Sequence, residues 1–138
     1  MSELAVTAPD LQGLLDATAF TRRLGVRVES LEDGICSLLV PYQSIFERPG
    51  GIVAGEIYMG AADVAFWCAT KTRLGLDDGS TTTNLETAFL APARQEPILC
   101  RARVLKWGRR LVFGDAECRS LESGKLLTHH TLTYMRVG

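Results

Sequence analysis

Residues 57–69, Ile-Tyr-Met-Gly-Ala-Ala-Asp-Val-Ala-Phe-Trp-Cys-Ala, form the most apolar stretch of this chain, and they carry a single charge, Asp63. A run of this length and composition predicts a helix that protein covers on most sides. Burial of an unpaired carboxylate is unfavourable by several kcal/mol, so an acid in this place has either a partner or a chemical role. Asp63 is therefore the first candidate for a functional residue.

Small residues come directly before this helix. Residues 48–55 read Arg-Pro-Gly-Gly-Ile-Val-Ala-Gly, and such residues allow backbone N–H groups at a helix start to face a ligand. The helix is predicted from Glu56 to about Arg73, and it ends at Leu74-Gly75, where glycine can adopt the left-handed conformation that closes a helix. We therefore predict a central helix whose start is open to a ligand.

Strand-like segments flank the helix on both sides. Two of them, 25–31 and 35–42, are joined around Glu32-Asp33-Gly34, which suits a hairpin turn. Four more follow the helix, with turn residues between them, at about 80–90, 98–107, 110–121 and 125–136. Short turns between long strands imply antiparallel pairing, and a sheet curled around one helix is the simplest cover for it. The predicted fold class is α+β, and the periodicity leaves the order of the strands open.

The first 23 residues are predicted to lie outside the main domain. Residues 1–9 read as a loose tail, and the short helix after them has apolar residues at helical spacing, namely Leu11, Leu14, Leu15 and Phe20. This helix is expected to pack as a lid or at an edge. Residues 24–138 are then one domain, since 138 residues with 46% hydrophobic content suffice for one core without disulfides or a metal.

Charge and cysteine content exclude several classes of function. Fifteen basic and sixteen acidic residues give a net charge of -1 with no dense basic run, so nucleic-acid binding is not expected. The cysteines are far apart and each has apolar neighbours, which fits the buried thiols of a reduced, cytoplasmic protein; they are Cys36, Cys68, Cys100 and Cys118. Neither a signal peptide nor a membrane span is recognised.

Several short motifs occur in a fixed order along the chain. They are Arg-Pro-Gly-Gly-Ile-Val-Ala-Gly-Glu at 48–56, Ala-Asp at 62–63, Thr-Thr-Asn-Leu at 82–85, Phe-Leu-Ala-Pro-Ala at 89–93, Gly-Arg-Arg at 108–110 and Thr-Leu-Thr-Tyr at 131–134. In this order and spacing the chain resembles the hotdog-fold thioesterases of the phenylacetic-acid-pathway (PaaI-like) type. The resemblance implies a hotdog domain, a homodimer with a continuous sheet or a homotetramer, and acyl-thioester sites at the dimer interface.

The motif of that family, Asn-Pro-x-Gly-x-Val-His-Gly-Gly followed by an acid on the helix, is partly kept. Arg48 stands at the Asn position, Ala54 at the His position and Glu56 at the second Gly position. Gly55 matches the first Gly, and Asp63 matches the acid. The Asn and His would ordinarily help to position the thioester carbonyl and the attacking water. The resemblance implies substrate contacts from this loop, at Arg48, Gly51, Ala54 and Glu56.

Thioester hydrolysis needs an activated water or a nucleophile, plus hydrogen-bond donors at the carbonyl oxygen. Asp63 can serve as base or nucleophile, and the Gly55 N–H at the positive end of the helix can serve as donor. The two residues are about 12 Å apart along one helix, so the site must pair Gly55 of one subunit with Asp63 of another. The predicted function is a cofactor-independent acyl-CoA thioesterase without a metal.

Each of these residues also has a structural interpretation. Asp63 can be a core carboxylate that pairs with an arginine or is capped by Thr82 or Thr83. Thr82, Thr83 and Asn84 can reach the acid or hold the water, but threonines also favour strands in general. Glu56 either forms an ion pair with Arg48 or stabilises the helix start; a catalytic role for it stays open.

Two further pairs stand out. Arg109 and Arg110 follow Gly108 at a turn, where they either bind the phosphates of coenzyme A or are solvated. His129 and His130 lie in one strand, so their rings point to opposite faces and do not form a shared metal site. Two other functions stay open: a non-catalytic hotdog protein that binds acyl thioesters or serves in assembly, and dehydration of a hydroxyacyl thioester.

Overall fold

Two short helices open the fold in the structure, a computed structural model that describes residues 3–137. They are α1 (Ala8–Ala17) and α2 (Ala19–Leu24). Thr7 caps α1, because its hydroxyl accepts the Asp10 N–H at 3.1 Å and the Asp10 carboxylate accepts the Thr7 N–H at 3.2 Å. The prediction of one helix is wrong in this detail: Thr18 is extended, so Phe20 belongs to the second helix.

The segment before α1 is not a loose tail over the residues that the structure describes. Val6 is buried in the core, with 3% of its surface exposed. The Ala5 N–H donates to the Thr72 carbonyl at 2.7 Å. Met1 and Ser2, which belong to the same predicted tail, lie outside the described residues.

The remaining elements follow in the predicted order. They are β1 (Arg27–Glu32), β2 (Ile35–Val40), a 3-10 turn (Ser44–Phe46), β3 (Glu47–Arg48), β4 (Ile52–Val53), α3 (Gly55–Leu74), β5 (Thr81–Phe89), β6 (Ile98–Trp107), β7 (Leu111–Ser120) and β8 (Leu126–Met135). Six strands form one antiparallel sheet in the order β1-β2-β6-β7-β8-β5. The predicted antiparallel sheet around a long helix is confirmed, and the β3-β4 hairpin before α3 was not predicted.

Helix α3 lies against one face of the sheet, and small residues allow the close approach. Phe66 is fully buried, which stabilises the fold by about 1.5–3 kcal/mol relative to an exposed side chain. Gly114 of β7 makes room for it, because a Cβ there would lie 2.5 Å from Phe66 Cε1 and 2.1 Å from the Arg103 carbonyl oxygen. The Phe66 ring also meets the Tyr134 ring edge to face, with centroids 4.9 Å apart.

Lys71, near the end of α3, is buried with 1% of its surface exposed. Its ammonium group donates to the carbonyl oxygens of Leu76 and Asp78, both at 3.0 Å, and lies 4.3 Å from the centre of the Trp67 ring. Burial lowers the pKa of Lys71. Gly75 then ends the helix at a φ of 86°. Through its two hydrogen bonds, Lys71 joins the end of α3 to the loop that leads into β5.

The two edges of the sheet differ. Beside β1, Gln12 of α1 accepts the Val28 N–H at 2.8 Å and donates to the Val26 carbonyl at 3.1 Å, so the helix covers this edge. Strand β5 forms the other edge, is nine residues long and has mostly exposed side chains. Within residues 3–137 no strand pairs with its outer side. A long uncovered edge is a ready surface for pairing with a further strand.

All four cysteines are buried, and none of them forms a disulfide. In the part of the chain that the structure describes, no helix is both long enough and apolar enough to cross a membrane.

Candidate active site

Asp63 lies in the middle of α3, half-buried, where two hydroxyl groups hold its carboxylate. Thr82 Oγ1 donates to Asp63 Oδ1 at 2.8 Å, and Tyr134 Oη lies 2.7 Å from the same oxygen. The other oxygen, Oδ2, has no hydrogen-bond partner among residues 3–137, and no lysine, arginine or histidine there forms an ion pair with Asp63. The carboxylate is thus fixed through one oxygen and free at the other.

The sheet places these two hydroxyls. Thr82 of β5 and Tyr134 of β8 are direct partners in neighbouring strands, and both side chains point towards α3. Burial raises the pKa of Tyr134 well above its ordinary value, and the charge of Asp63 raises it further. Tyr134 therefore stays protonated and can donate to the carboxylate. Thr82 was predicted as a site residue from the sequence, whereas Tyr134 was not.

A cavity of about 440 Å³ opens beside the carboxylate. We call it the Asp63 cavity; its walls come from α1, α2, α3, β5 and β8, and it is lined by Leu14, Leu15, Thr18, Phe20, Thr21, Asp63, Val64, Trp67, Ser80, Thr81, Thr82 and Tyr134. Asp63 is the single charged residue among them. Leu14, Phe20 and Trp67 make much of the wall apolar. The arrangement fits an uncharged, largely apolar group placed next to a carboxylate.

Gly55, the first residue of α3, lies at a second cavity, of about 360 Å³. We call it the Gly55 cavity; it is lined by Arg48, Ile52, Val53, Gly55, Tyr58, Phe89, Leu90, Ala91 and Pro92. A Cβ at Gly55 would lie 3.0 Å from Phe89 Cε1, so glycine permits the ring to approach the helix start. The Gly55 N–H has no acceptor among residues 3–137, as expected at a helix start without a side-chain cap.

The two cavities share no lining residue. Asp63 lies eight residues after Gly55, which corresponds to about 12 Å along the helix axis. One thioester carbonyl cannot contact both groups of a single chain. A site that uses both must therefore combine two copies of the chain.

Comparison with known proteins agrees with this geometry. The family model described as "Thioesterase superfamily" matches residues 50–126, which is more than half of the chain. This chain belongs to the thioesterase superfamily. The prediction of a thioester hydrolase with a hotdog fold is confirmed at this level.

Individual proteins similar to this thioesterase come from several organisms. The Saccharolobus solfataricus protein named "Putative esterase SSO2140" is 32% identical over 103 residues, which cover 75% of this chain and 72% of the relative. Zebra fish thioesterase superfamily member 2 superimposes with a TM-score of 0.87 at 23% identity, covering 96% of this chain and 99% of the other. The E. coli PaaI protein from the phenylacetic acid degradation operon gives a TM-score of 0.83 at 17% identity, with 92% and 90% covered. The last two show a shared fold.

The loop before α3 carries the remaining predicted residues of this thioesterase's motif. Arg48 lines the Gly55 cavity, and its Nη1 donates to the Pro49 carbonyl at 2.7 Å. It forms no ion pair with Glu56 among the described residues, and Glu56 is exposed in the first turn of α3. Ala54 is the N-cap of α3, with its N–H donating to the Phe46 carbonyl at 2.8 Å. The helix-start role of Glu56 fits this placement better than the ion pair does.

Gly51 has a turn role in this loop. Its φ of 73° lies in the left-handed region, between β3 and β4, and its N–H donates to the Arg48 carbonyl at 3.2 Å. It does not line the Gly55 cavity. A substrate contact by Gly51 stays a prediction.

Thr83 and Asn84 do not meet Asp63 within one chain. The register of β5 shifts between Thr82 and Asn84, and Asn84 pairs with Thr133, the residue before Tyr134. Because neighbouring residues of a strand point to opposite faces, Asn84 lies on the outer face of the sheet. Both residues are exposed on the β5 edge, so a contact with substrate requires a second copy of the chain.

Arg109 and Arg110 form the tight turn between β6 and β7. A Cβ at Gly108 would lie 2.4 Å from the Leu111 carbonyl oxygen, which explains the glycine before them. Both arginines are exposed, and neither forms an ion pair among residues 3–137. Leu111 pairs with Met135, next to Tyr134, so the turn lies at the same end of the sheet as the Asp63 cavity.

The two histidines point to opposite faces, as the strand pattern predicted. His130 is buried, with Nδ1 2.8 Å from Thr87 Oγ1. His129 lies on the outer face, where its Nε2 is 3.2 Å from Asp115 Oδ2 and Arg103 Nε is 2.8 Å from Asp115 Oδ1. Partial burial raises the pKa of Asp115, but the hydrogen bonds from Arg103 and His129 outweigh it and lower the pKa below its ordinary value.

Proposed function

We propose that this thioesterase hydrolyses acyl-coenzyme A thioesters, with Asp63 of one subunit and the Gly55 amide of a second subunit acting on the same carbonyl. The observation that carries the proposal is the carboxylate of Asp63, which is held through Oδ1 by Thr82 and Tyr134 while Oδ2 is free beside a largely apolar cavity. A fixed carboxylate with one free oxygen is suited to activate a water or to attack.

In the proposed reaction, Asp63 accepts a proton from a water molecule as the water oxygen attacks the thioester carbon. The carbonyl oxygen gains negative charge, and the Gly55 N–H at the start of the partner's α3 donates to it. The carbon–sulfur bond then breaks, and the proton passes from Asp63 to the departing thiolate, which gives a carboxylic acid and coenzyme A. In the other form of the mechanism, Asp63 itself attacks, and water hydrolyses the resulting anhydride.

The two forms leave different isotope patterns. A single turnover in ¹⁸O-labelled water places the label in the released acid if Asp63 acts as a base. If Asp63 attacks directly, water then hydrolyses the anhydride at the carboxyl carbon of Asp63, and the label enters the Asp63 side chain. Mass spectrometry of the Asp63 peptide detects it. Repeated turnovers would then transfer that label to product.

The proposed second subunit joins at β5. This strand is the long uncovered edge of the sheet, and pairing of two β5 strands would make one continuous sheet. Thr82 on β5 already touches Asp63, so the interface would run next to the site. Size-exclusion chromatography with light scattering tests this: a dimer or tetramer is expected, and a strict monomer would contradict a site that needs two chains.

Coenzyme A is the proposed carrier because Arg109 and Arg110 are exposed, without an ion pair among residues 3–137, at the end of the sheet where Asp63 lies. Guanidinium groups bind phosphates through paired hydrogen bonds. We place the reaction in the cytoplasm, because four separate buried thiols fit a reducing compartment.

The decisive experiment is thiol release from a panel of acyl-CoAs by the unmodified protein and by Asp63→Asn. The amide oxygen of Asn can still accept from Thr82 and Tyr134, so the fold is expected to persist, while the turnover number falls by about a hundredfold or more. Asp115→Asn is the matched control, since it removes a carboxylate from the outer face, and its turnover should stay unchanged. Equal turnover in Asp63→Asn would remove Asp63 from the mechanism.

The same panel tests the non-catalytic alternative. The departures at Ala54 and Glu56 from the family's motif, and the hydroxyl caps on Asp63, would also fit a protein that only binds acyl thioesters. Tight binding without thiol release in the unmodified protein would establish that alternative. Dehydration has less support, because neither histidine contacts Asp63.

A further inference from the structure

A third cavity, of about 370 Å³, lies beside the Asp63 cavity along α3. We call it the Ile57 cavity; it is lined by Ala19, Phe20, Arg23, Leu24, Ile45, Phe46 and Ile57. Phe20 is the one residue that lines both this cavity and the Asp63 cavity. Its side chain therefore stands between two mostly apolar spaces.

The surface of α3 beneath these cavities is continuous. Ile57, Gly60 and Val64 follow one another at helical spacing and so share a face of the helix. Ile57 lines the one cavity and Val64 lines the other. Between them, a Cβ at Gly60 would lie 3.5 Å from Phe20 Cζ, so the Phe20 ring rests over the glycine. Without that ring, a single groove would run along α3 from Asp63 to Ile57.

We propose that Phe20 sets the length of the acyl group that this protein accepts. The proposal rests on the proposed function, which puts the thioester carbonyl at Asp63. An acyl chain that extends from there along α3 fills the Asp63 cavity and then meets the Phe20 ring. The chemistry of the walls favours a hydrocarbon: Asp63 is the single charge in the first cavity, and in the second the single charge is Arg23, an exposed residue.

Phe20 can be replaced without loss of α2. The ring is 59% exposed, so it contributes little to the core. Other residues hold the helix: Thr21 Oγ1 donates to the Leu15 carbonyl at 2.6 Å, and Leu24 is buried with 5% exposed. The Gln43 side chain donates to the Arg23 carbonyl at 2.8 Å.

The test measures binding of a series of S-(2-oxoalkyl)-coenzyme A thioethers of increasing chain length by titration calorimetry. These ligands keep the carbonyl but have no thioester bond to hydrolyse. Each methylene buried in an apolar cavity tightens binding about fourfold. In the unmodified protein the gain in affinity per methylene should stop at the chain length that reaches Phe20. We call this chain length the end point.

Two variants and one control complete the test. Phe20→Ala should move the end of the gain to longer chains by several methylenes, and Phe20→Trp should move it to shorter ones. Phe113→Ala is the matched control, because this ring is 40% exposed on the outer face of the sheet and lines neither cavity. An end point in Phe20→Ala that equals that of Phe113→Ala would overturn the proposal.

The outcome is separate from that of the proposed function. If the end point moves but acyl-CoAs release no thiol, the role of Phe20 stands and hydrolysis of acyl-CoA fails. If thiol is released but the end point does not move, the proposed function stands and the role of Phe20 fails.

Discussion

Tyr134→Phe is the change that tests most sharply how Asp63 is held. It removes one hydroxyl and keeps the ring, which is 2% exposed and packs against Phe66. The lost contacts are those of Tyr134 Oη with Asp63 Oδ1 at 2.7 Å and with the Asp63 carbonyl oxygen at 2.8 Å, which share the single hydroxyl proton. A hydrogen bond to a charged group contributes about 1.5–3 kcal/mol. Thr82 still donates to Oδ1 at 2.8 Å, so the carboxylate keeps one of its two donors.

The change should slow turnover. The carboxylate is less well oriented, and a loss of about 1.4 kcal/mol in the transition state would lower the turnover number about tenfold. The KM should change little, because the hydroxyl holds Asp63 and not the substrate.

Stability should change less than turnover. Asp63 is half-buried at an open cavity, so water can replace the lost donor, and the free energy of unfolding should fall by only about 1 kcal/mol. Tyr42→Phe is the matched control, since the Tyr42 hydroxyl donates to the Glu47 carboxylate and Tyr42 lines neither the Asp63 cavity nor the Gly55 cavity. Thiol release measured at neutral pH gives the assay. A turnover number that matches that of Tyr42→Phe would refute the reasoning.

Three further changes test other parts of the site and fold. Gly55→Ala places a Cβ 3.0 Å from the Phe89 ring and should slow turnover about tenfold by displacing the ring into the cavity; a second change, Phe89→Ala, should restore part of the rate, and no rescue would argue against a steric cause. Replacing Arg109 and Arg110 by Ala should raise the KM for acyl-CoA but not for a short thioester without coenzyme A, and equal effects on both would exclude phosphate contact. Asp115→Asn should lower the free energy of unfolding by about 1 kcal/mol or less at neutral pH. Hydrogen bonds lower the pKa of Asp115 in the folded state. Its contribution to the free energy of unfolding is therefore fully present above the ordinary carboxyl pKa of about 3.9 and is lost as the pH falls through the lowered value. Denaturant unfolding curves of Asp115→Asn and the unmodified protein should thus converge in acid.

The main elements follow from local sequence signals. The apolar run around Asp63 predicts α3, and the observed helix, Gly55–Leu74, begins one residue before the prediction and ends one residue after it. The strand Ile98–Trp107 has the predicted bounds. Long periodic segments are predictable because their side-chain pattern is set by burial on one side. The two-residue strands β3 and β4 have no such pattern, since they are too short to show a period.

Contacts between distant segments were harder to predict. Thr82 was expected near Asp63 because the resemblance to the thioesterase family places it near the site, and the structure brings the two residues together. Tyr134 meets the same carboxylate from the last strand, and this needs the order of the sheet, which periodicity does not give. One signal was available. Tyr134 is two residues after Leu132, so the two side chains lie on the same face of the strand, and the apolar Leu132 predicts that this face, with the Tyr134 hydroxyl, points towards the core. The register shift in β5, which turns Asn84 to the outer face, has no signal of that kind.

The buried Lys71 limits how the substrate range of this protein can diversify. Its ammonium group links the end of α3 to the loop before β5 through two hydrogen bonds. Trp67, which precedes this link in the chain, and Thr82, which follows it, both line the Asp63 cavity. The walls at these two residues are thus expected to shift together rather than separately. Within residues 3–137 the ammonium group makes no hydrogen bond to the wall formed by α1 and α2. Changes in preference among descendants of this sequence should therefore accumulate in the first 24 residues, while the lysine and its loop stay constant.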